Sequence, residues 1–302
     1  MTPLERAPQA LATYLGRTDV WLKREDVHEL GAFKWRSTLP VVQELAGAGH
    51  EAVVTSSTGN HGAAVAWACG QLGVRAIVFV PPGATPQKLA LLERLGADIR
   101  VAGNDLDEAK EVARTIADKE GLPFFEDGAE PLQYEAYGAI GDEILDQSRV
   151  PPAAVAIPIG NGALAGGIGA AVARRAPGVR RVGVVAKEMP VMAASYEAGR
   201  PVEVSTGQTI ADGLAVRVAI PLAVERLRTA VDAMVRVSER AIAEALVACH
   251  DADVRVEPSA AAAVAAARDL PSGGPVVLVL TGRNVDEAVL QRARCYLGSF
   301  PA

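Results

Sequence analysis

Short β-branched runs alternate with alanine-, leucine- and glutamate-rich stretches along most of this chain of 302 residues. Strands are predicted at 52–55, 75–80, 99–101, 124–125, 154–158, 182–185 and 276–280, and helices at 61–72, 86–95 and 105–120. Such alternation is typical of parallel sheets that are covered by helices on both faces. The sequence therefore predicts an α/β fold, with the all-apolar strand 276–280 (VVLVL) at the centre of a sheet.

Composition excludes several classes of protein. The net charge is −6 and no run of lysine or arginine stands out, so we expect no nucleic-acid partner. No stretch is apolar enough to span a bilayer and the first residues lack a signal core, so we expect no membrane association. The three cysteines, Cys69, Cys249 and Cys295, are too widely spaced for a disulfide framework or a metal knuckle. Together these features predict a cytoplasmic protein.

Lys34 is the residue most suggestive of chemistry. It lies in 31–36 (GAFKWR), between Phe33 and Trp35. Aromatic neighbours favour a desolvated ammonium with a lowered pKa, and such a lysine is a nucleophile for carbonyls and a carrier of protons. The alternative interpretation is one more solvated surface charge.

A glycine-rich segment, 158–167 (PIGNGALAGG), follows a predicted strand and opens into an alanine-rich helix. Small residues at a helix start allow several backbone N–H groups to converge, which suits a phosphate. The segment lacks the Gly-Lys-Ser/Thr of a Walker loop and is a poor dinucleotide fingerprint. A turn that allows close helix–strand packing is the alternative.

Two further segments follow predicted strands. The first, 56–62 (SSTGNHG), begins a helix where hydroxyl and N–H groups suit a carboxylate, and Asn60 would hydrogen-bond a phenolic or carbonyl oxygen. His61 is interpreted as structural, and an ordinary N-cap is the alternative for the whole segment. The second, 281–284 (TGRN), places the hydroxyl of Thr281 at a strand end, where it would hydrogen-bond a ring nitrogen.

In this order, the four segments resemble those of the fold type II pyridoxal-phosphate enzymes, in particular the serine/threonine dehydratase and serine racemase group. The likeness extends over essentially the whole chain and includes 2–4, 21–26, 209–216 and 256–260. It implies two open parallel-sheet domains of the tryptophan synthase beta type, with the cofactor between them. The implied domains are a large cofactor-binding domain, 1–39 with 141–302, and a small substrate-binding domain, 40–140.

The resemblance also implies a role for each matching residue. Lys34 corresponds to the lysine that forms the internal Schiff base with pyridoxal 5'-phosphate, and Thr281 to the hydroxyl partner of its pyridine nitrogen. A neutral partner keeps the ring a weaker electron sink, which favours β-elimination. Asn60 corresponds to the partner of the 3-hydroxyl. The implied cofactor-binding residues are Phe33, Lys34, Asn60, Gly160, Asn161, Gly162, Ala163, Leu164 and Thr281. The implied substrate-binding loop is Ser57, Thr58, Gly59, Asn60 and His61.

The chain departs from the family pattern at several positions. Asn161 and Ala163 interrupt a phosphate loop that is often four glycines; Ala163 adds only a methyl, and Asn161 tolerates unusual backbone angles. Thr281 replaces the usual serine, and Arg283 stands where glycine is common. Because 183–186 (GVVA) lacks the glutamate of the metal-binding members, and Glu188 is the only nearby substitute, we expect no metal. No regulatory domain is expected beyond residue 302.

The function predicted from this resemblance is a dehydratase, or ammonia-lyase, that eliminates water from threonine or serine and yields a 2-oxo acid and ammonia. Lys34 would be the catalytic base, and a homodimer is expected. Racemisation is an alternative, with Thr58 as the second base where the racemase has serine. A 3-hydroxyaspartate dehydratase, with Arg283 or Arg217 meeting the extra carboxylate, and a β-replacement synthase are also open. A non-catalytic protein that binds a phosphorylated metabolite is the alternative from another class.

Overall fold

The strands form two separate sheets, built almost entirely from parallel strands. The computed structural model describes residues 1–302. In chain order the strands are β1 (Leu4–Arg6), β2 (Val20–Arg24), β3 (Ala52–Ser56), β4 (Arg75–Val80), β5 (Asp98–Val101), β6 (Ala154–Pro158), β7 (Arg180–Ala186), β8 (Ala233–Val237) and β9 (Val276–Leu280).

Twelve α-helices accompany these strands. They are α1 (Gln9–Leu15), α2 (Trp35–Gly47), α3 (Asn60–Leu72), α4 (Pro86–Arg94), α5 (Leu106–Glu120), α6 (Pro131–Gln147), α7 (Ala163–Arg175), α8 (Val191–Ala198), α9 (Pro221–Ala230), α10 (Glu239–Asp251), α11 (Pro258–Ala265) and α12 (Glu287–Cys295). None of them is long and apolar enough to cross a membrane.

The larger sheet has the strand order β1-β2-β9-β6-β7-β8. Its last strand in the chain, β9, pairs in parallel with both β2 and β6 and is buried along its whole length. The prediction that 276–280 lies at the centre of a sheet is therefore confirmed. The core on this sheet includes residues of α10 and of the alanine-rich α11, whose short side chains allow close packing.

The smaller sheet has the order β3-β4-β5, with all strands parallel. The segment after α5 extends it, because Phe124 forms an isolated parallel bridge with Val54 and the Phe125 N–H donates to the Val54 carbonyl at 2.8 Å. Strands β3 and β4 are buried almost throughout, which explains their continuous apolar sequences.

The chain divides into two compact units. One contains Met1–Phe33 and Tyr137–Ala302, and the other contains Lys34–Ala136. The first boundary falls between Phe33 and Lys34, immediately before α2, whose Val41 and Val42 belong to the core of the smaller unit. The second boundary falls within α6.

Most predicted elements are confirmed to within two residues, and the helix prediction at 105–120 shows why. Asp105 caps α5 by accepting hydrogen bonds at 3.0 Å from the N–H groups of Asp107 and Glu108, and Gly121 ends the helix in the left-handed conformation. One edge of the larger sheet departs from the parallel arrangement, because β1 pairs antiparallel with β2. A three-residue strand at an edge needs no crossover helix to run in that direction.

Strand β2 was missed because a charged residue occupies a buried position in it. Lys23 is fully buried, and its Nζ donates to the Thr2 carbonyl at 2.7 Å and to Glu143 Oε2 at 2.6 Å. Glu143 lies on α6, far away in the chain, so the sequence around Lys23 reads as a solvated charged run. The ion pair fixes the first residues of the chain against α6.

Removal of the Glu143 carboxylate would leave the buried Lys23 ammonium without its countercharge. Deleting one partner of a buried ion pair costs about 3–5 kcal/mol, so we expect Glu143→Ala to lower the free energy of unfolding by about that amount. Urea unfolding followed by circular dichroism measures the change. Glu5→Ala is the matched control, because Glu5 pairs with Arg24 at the surface and such pairs contribute about 0–1 kcal/mol. Equal losses in the two variants would contradict the assignment.

Candidate active site

The pairing of β6 with β9 aligns two of the predicted segments. Ala154 pairs with Val276 and Ala156 with Leu278, so the chain after Pro158 and the chain at Thr281 leave the sheet at the same edge. This is the carboxyl edge of parallel strands, where ligands of open α/β sheets bind. Both segments belong to the larger unit.

The glycine-rich loop closes tightly against its surroundings. A Cβ placed on Gly160 would lie 2.3 Å from the Gly213 carbonyl oxygen, so only glycine fits there without displacing backbone. Gly162 has a φ of +99°, which side-chain-bearing residues rarely adopt. The helix α7 then begins at Ala163, and its first N–H groups have no partner within the helix. The loop and the helix start together present backbone N–H donors, and this segment is called the cradle.

Asn161 is accommodated in this loop for a reason that the sequence did not reveal. We expected it to tolerate an unusual backbone angle, but the positive φ is at Gly162, and Asn161 is not among the residues with a positive φ. Instead its Oδ1 accepts a hydrogen bond at 3.0 Å from the Ala163 N–H. The side chain folds back onto the start of α7 and replaces a capping group.

Two segments that sequence reasoning left without a role support this cradle. Ser259 Oγ accepts a hydrogen bond at 3.1 Å from the Gly213 N–H, which fixes the carbonyl that faces Gly160. The Glu257 N–H donates to the Gly282 carbonyl at 2.9 Å, next to Thr281. Glycine at 160 and 213 was the only signal in the sequence for this close approach.

Thr281 and Phe33 are brought together from opposite ends of the chain. The Phe33 N–H donates to the Thr281 carbonyl at 3.1 Å, and the adjacent Ala32 and Gly282 form an antiparallel bridge. The Phe33 ring packs against Tyr137, with centroids 5.1 Å apart. Thr281 Oγ1 is buried and has no hydrogen-bond partner in the protein. An orphaned buried hydroxyl is costly, so it indicates a place for a ligand atom.

Arg283 forms hydrogen bonds with the backbone of residues 26–31. Its guanidinium donates to the carbonyl oxygens of Asp26 and, at 3.1 Å, of His28, and its own N–H donates to the Gly31 carbonyl at 2.8 Å. The side chain therefore holds the turn that leads to Phe33. It also lines a polar cleft of about 570 Å³ together with Arg255 and Arg294.

The loop 57–61 follows β3 in the smaller unit. Ser57 Oγ accepts a hydrogen bond at 3.2 Å from the Gly59 N–H, and α3 begins at Asn60. Ser57, Thr58, Gly59 and Asn60 are partly exposed, whereas His61 is buried. The hydroxyl and N–H groups of the loop are thus accessible at a helix N-terminus, which suits an anion.

Lys34 contacts a carboxylate that sequence reasoning missed. Its Nζ donates to Asp127 Oδ2, and the two residues form a largely buried ion pair within the smaller unit. The aromatic neighbours led us to expect a desolvated ammonium, but the ammonium has a countercharge. No periodic pattern marks Asp127, which follows the short paired segment 124–125.

His61 lies on the other side of the same carboxylate. Its Nδ1 is 3.7 Å from Asp127 Oδ1, its Nε2 is 3.4 Å from the Phe125 carbonyl oxygen, and its ring meets Phe125 edge-on. Burial lowers the pKa of His61, which the nearby carboxylate only partly offsets. Burial also opposes ionisation of Asp127, but the charge and hydrogen bond of Lys34 outweigh it and hold the pKa of that carboxyl below its ordinary range.

Within each unit the structure thus brings together some of the predicted site residues. In the larger unit these are Phe33, Thr281 and the loop Gly160, Asn161, Gly162, Ala163 and Leu164. In the smaller unit Lys34 and His61 meet at Asp127, and the rest of the loop 57–61 adjoins His61. No group of three or more His, Cys, Asp or Glu side chains is arranged to hold a metal ion.

Two observations test whether these residues fit pyridoxal phosphate. The orphaned Thr281 Oγ1 offers a neutral hydrogen-bonding group, and the start of α7 after the glycine-rich loop offers backbone N–H groups that have no partner within the helix. A pyridine nitrogen needs the first kind of partner and a phosphate the second. Lys34, in the smaller unit, carries a primary amine of the kind that would react with the cofactor's carbonyl. The groups within each unit are therefore of the kinds that the cofactor would need.

Comparison with known proteins identifies the family. The family model described as pyridoxal-phosphate dependent enzyme matches residues 1–282. The L-threonine ammonia-lyase of Thermotoga maritima is 33% identical over 279 residues, covering 91% of this chain and 69% of that protein.

Solved structures agree with this match. The processed form of threonine deaminase isoform 2 from Solanum lycopersicum has a TM-score of 0.91 at 29% identity, covering 99% of this chain and 88% of that one. Maize serine racemase has a TM-score of 0.88 at 26% identity, covering 97% of this chain and 91% of that one. The predicted fold is therefore confirmed, and the chain belongs to the family of pyridoxal-phosphate dependent enzymes.

Proposed function

We propose that this enzyme is a threonine ammonia-lyase, which converts threonine, and serine as a second substrate, to a 2-oxo acid and ammonia. The observation that carries the proposal is the buried, unpartnered hydroxyl of Thr281. A neutral partner for the pyridine nitrogen leaves the ring unprotonated, and this favours loss of a β-substituent over side reactions at the α-carbon. The likeness to an L-threonine ammonia-lyase supports the same substrate class.

In this proposal the larger unit binds the cofactor and the smaller unit binds the substrate. The loop Gly160, Asn161, Gly162, Ala163 and Leu164 would hold the phosphate through its backbone N–H groups other than that of Ala163, which Asn161 Oδ1 occupies, and α7 would add the positive potential of its N-terminus. Thr281 would be the hydrogen-bonding partner of the pyridine nitrogen, Asn60 would be that of the 3-hydroxyl, and Phe33 would border the ring. When bound, pyridoxal phosphate supplies an electron sink that makes the α-proton of an attached amino acid acidic.

The loop 57–61 takes the substrate carboxylate. Hydroxyl groups of Ser57 and Thr58 and N–H groups at the start of α3 provide donors for both carboxylate oxygens. The His61 imidazole is buried against Phe125, so His61 contributes its backbone to this loop. Carboxylate binding orients the α-carbon of the substrate toward the amine that removes its proton.

Lys34 has two tasks in the reaction. Its Nζ would hold the cofactor in the resting enzyme, and as a free amine it would take the α-proton of the substrate. The β-hydroxyl leaves as water, and the enamine that is set free hydrolyses to the oxo acid and ammonia. The proton taken up by Nζ would leave with the β-hydroxyl as water, so the lysine would again be a neutral amine when it reattaches the cofactor.

Racemisation of serine is the second candidate function, because Thr58 stands where the racemase has a serine. A racemase needs a second base on the opposite face of the substrate, and the Thr58 hydroxyl is partly exposed on its loop. Its branched Cβ restricts the rotation of that hydroxyl, which disfavours this role.

We further propose that the protein works in the cytoplasm as a homodimer. Its cysteines are all free thiols, two buried and one exposed, which suits a reducing compartment. The dimer is proposed from the family resemblance.

A panel of amino acids tests the proposed function directly. We expect L-threonine and L-serine to yield 2-oxo acid and ammonia in equal amounts, measured by coupled assays. Lys34→Ala should lower this activity by about 10⁴-fold, because both the covalent attachment and the base are lost. Lys119→Ala, the same change at an exposed site on α5, should leave activity intact. Full activity in Lys34→Ala would remove the proposal.

Thr281→Val separates cofactor binding from protein stability. Because the buried hydroxyl has no partner in the protein, its removal should raise the stability of the cofactor-free protein by about 1 kcal/mol. The same change should weaken cofactor affinity about five- to tenfold. Thr55→Val is the matched control, because the Thr55 hydroxyl donates to the Phe125 carbonyl at 2.8 Å and its loss should destabilise. Thermal unfolding and cofactor titration measure both effects; destabilisation by Thr281→Val with unchanged affinity would argue against the assignment.

Chiral analysis distinguishes the two candidate functions. During ammonia release from L-serine, the serine that remains should stay in the L form, because the Thr58 hydroxyl is restricted. Thr58→Ser frees that hydroxyl and should raise the formation of D-serine, whereas Thr58→Ala should abolish it. If the wild-type enzyme forms D-serine as fast as ammonia, racemisation is its function.

A further inference from the structure

The Lys34 ammonium lies against a carboxylate that no assigned role explains. Asp127 Oδ2 accepts its hydrogen bond, and the two side chains are 13% and 24% exposed. Asp127 lies just beyond the segment that pairs with β3, at the same end of that strand as the loop 57–61. A chance surface pair would be more exposed and more weakly held.

Asp127 is fixed by a buried side chain that also fixes its backbone. Gln133 is fully buried; its Nε2 donates to Asp127 Oδ1 at 3.2 Å, and its Oε1 accepts from the Gly128 N–H at 2.7 Å. The Tyr134 hydroxyl donates to the Gly128 carbonyl at 2.8 Å. Gln133 therefore holds the carboxylate directly, and Gln133 and Tyr134 together hold the backbone of Gly128 beside it.

The His61 ring lies beside the same carboxylate but does not neutralise its charge. Its Nδ1 is buried without a hydrogen-bond partner and faces Asp127 Oδ1 at 3.7 Å. Because burial lowers the pKa of His61, the imidazole is uncharged at neutral pH. Lys34 is then the cation that balances Asp127.

The other charged groups near this cluster are occupied with one another. Glu126, the neighbour of Asp127, pairs with Lys110 at 3.2 Å and with Arg114 at 2.6 Å, both on α5. The pKa of Asp127 is held below its ordinary range, so its charge is present throughout the neutral region. A permanent, oriented negative charge thus faces Lys34 Nζ.

We propose that Asp127 is a positioning residue for Lys34: it holds Nζ in place and stabilises the positive charge that Nζ carries after taking up a proton. This inference rests on the proposed role of Lys34 as the base of the reaction. A fixed charge aimed at an atom where charge develops lowers the barrier for that step, since no reorganisation is needed.

The same carboxylate has the opposite effect on Lys34 as a nucleophile. An adjacent anion favours the protonated amine, and only the neutral amine reacts with electrophiles. Loss of the carboxylate should therefore make the free lysine more reactive at a given pH and the enzyme slower in turnover. A merely structural role for Asp127 would not give these opposite changes.

The experiment measures the reactivity of Lys34 as a function of pH in the full-length, cofactor-free protein. Trace acetic anhydride labels the amine, and mass spectrometry of the Lys34 peptide gives the extent of labelling. In Asp127→Asn the midpoint should move to lower pH by about one unit or more. Glu126→Gln, the same chemical change one residue away, should leave the midpoint in place.

Turnover of the cofactor-loaded enzyme gives the second readout. In Asp127→Asn, kcat should fall by about 100-fold, with a smaller change in KM, because the loss affects the proton transfer and not substrate binding. Asp127→Glu, which keeps the charge on a longer side chain, should restore the midpoint of labelling but only part of kcat.

An unshifted labelling midpoint in Asp127→Asn would overturn the proposal. If circular dichroism shows that this variant does not fold, Asp127→Ala removes the same charge, leaves room for water and must give the same shift. Labelling uses neither cofactor nor amino acid, so its outcome is independent of the proposed function. Absence of ammonia from every amino acid tested would remove the proposed function alone, and an unshifted midpoint in an active enzyme would remove the role of Asp127 alone.

Discussion

The insertion of β9 between β2 and β6 is the constraint on which the larger unit depends. Because β9 is the last strand of the chain and β2 one of the first, this pairing brings Thr281 beside Phe33. The pairing of β9 with β6 aligns Thr281 with the glycine-rich loop. Backbone pairing thus brings three segments that are far apart in the chain to one sheet edge, and the side chains of Arg283 and Asn284 add hydrogen bonds to the turn before Phe33.

The elements that could be predicted are those whose environment is uniform along the strand or helix. Strand β9 is apolar at every position and buried at every position, so its burial could be predicted from its sequence alone. Strand β2 was missed because Lys23 is compensated by Glu143, a residue on a distant helix. A short-range sequence pattern reveals burial only when every buried residue is apolar. A charged residue can be buried when it pairs with a residue far away in the chain, and the local pattern then misleads.

The candidate site shows the same limit. The glycines at 160 and 162 and the lysine at 34 stand in local patterns that indicate their chemistry. Asp127 has no such pattern, since its proposed role depends on a contact with Lys34, which lies 93 residues earlier in the chain. It also depends on the hydrogen bond that the Gln133 side chain donates to it. A residue that acts by accepting a hydrogen bond from a distant side chain leaves no periodic trace in the sequence.

The proposed site residues of the two units differ in charge, and under the proposed function this difference has a chemical consequence. In the larger unit the partners are neutral, namely the Thr281 hydroxyl and backbone N–H groups of the glycine-rich loop. In the smaller unit they are charged, since Asp127 faces Lys34 while His61 stays neutral. A charge beside the pyridine nitrogen would change its electron demand for every substrate. In the proposed reaction, a charge beside Lys34 would act instead on the group that takes up the α-proton, and it would leave the ring a weak electron sink.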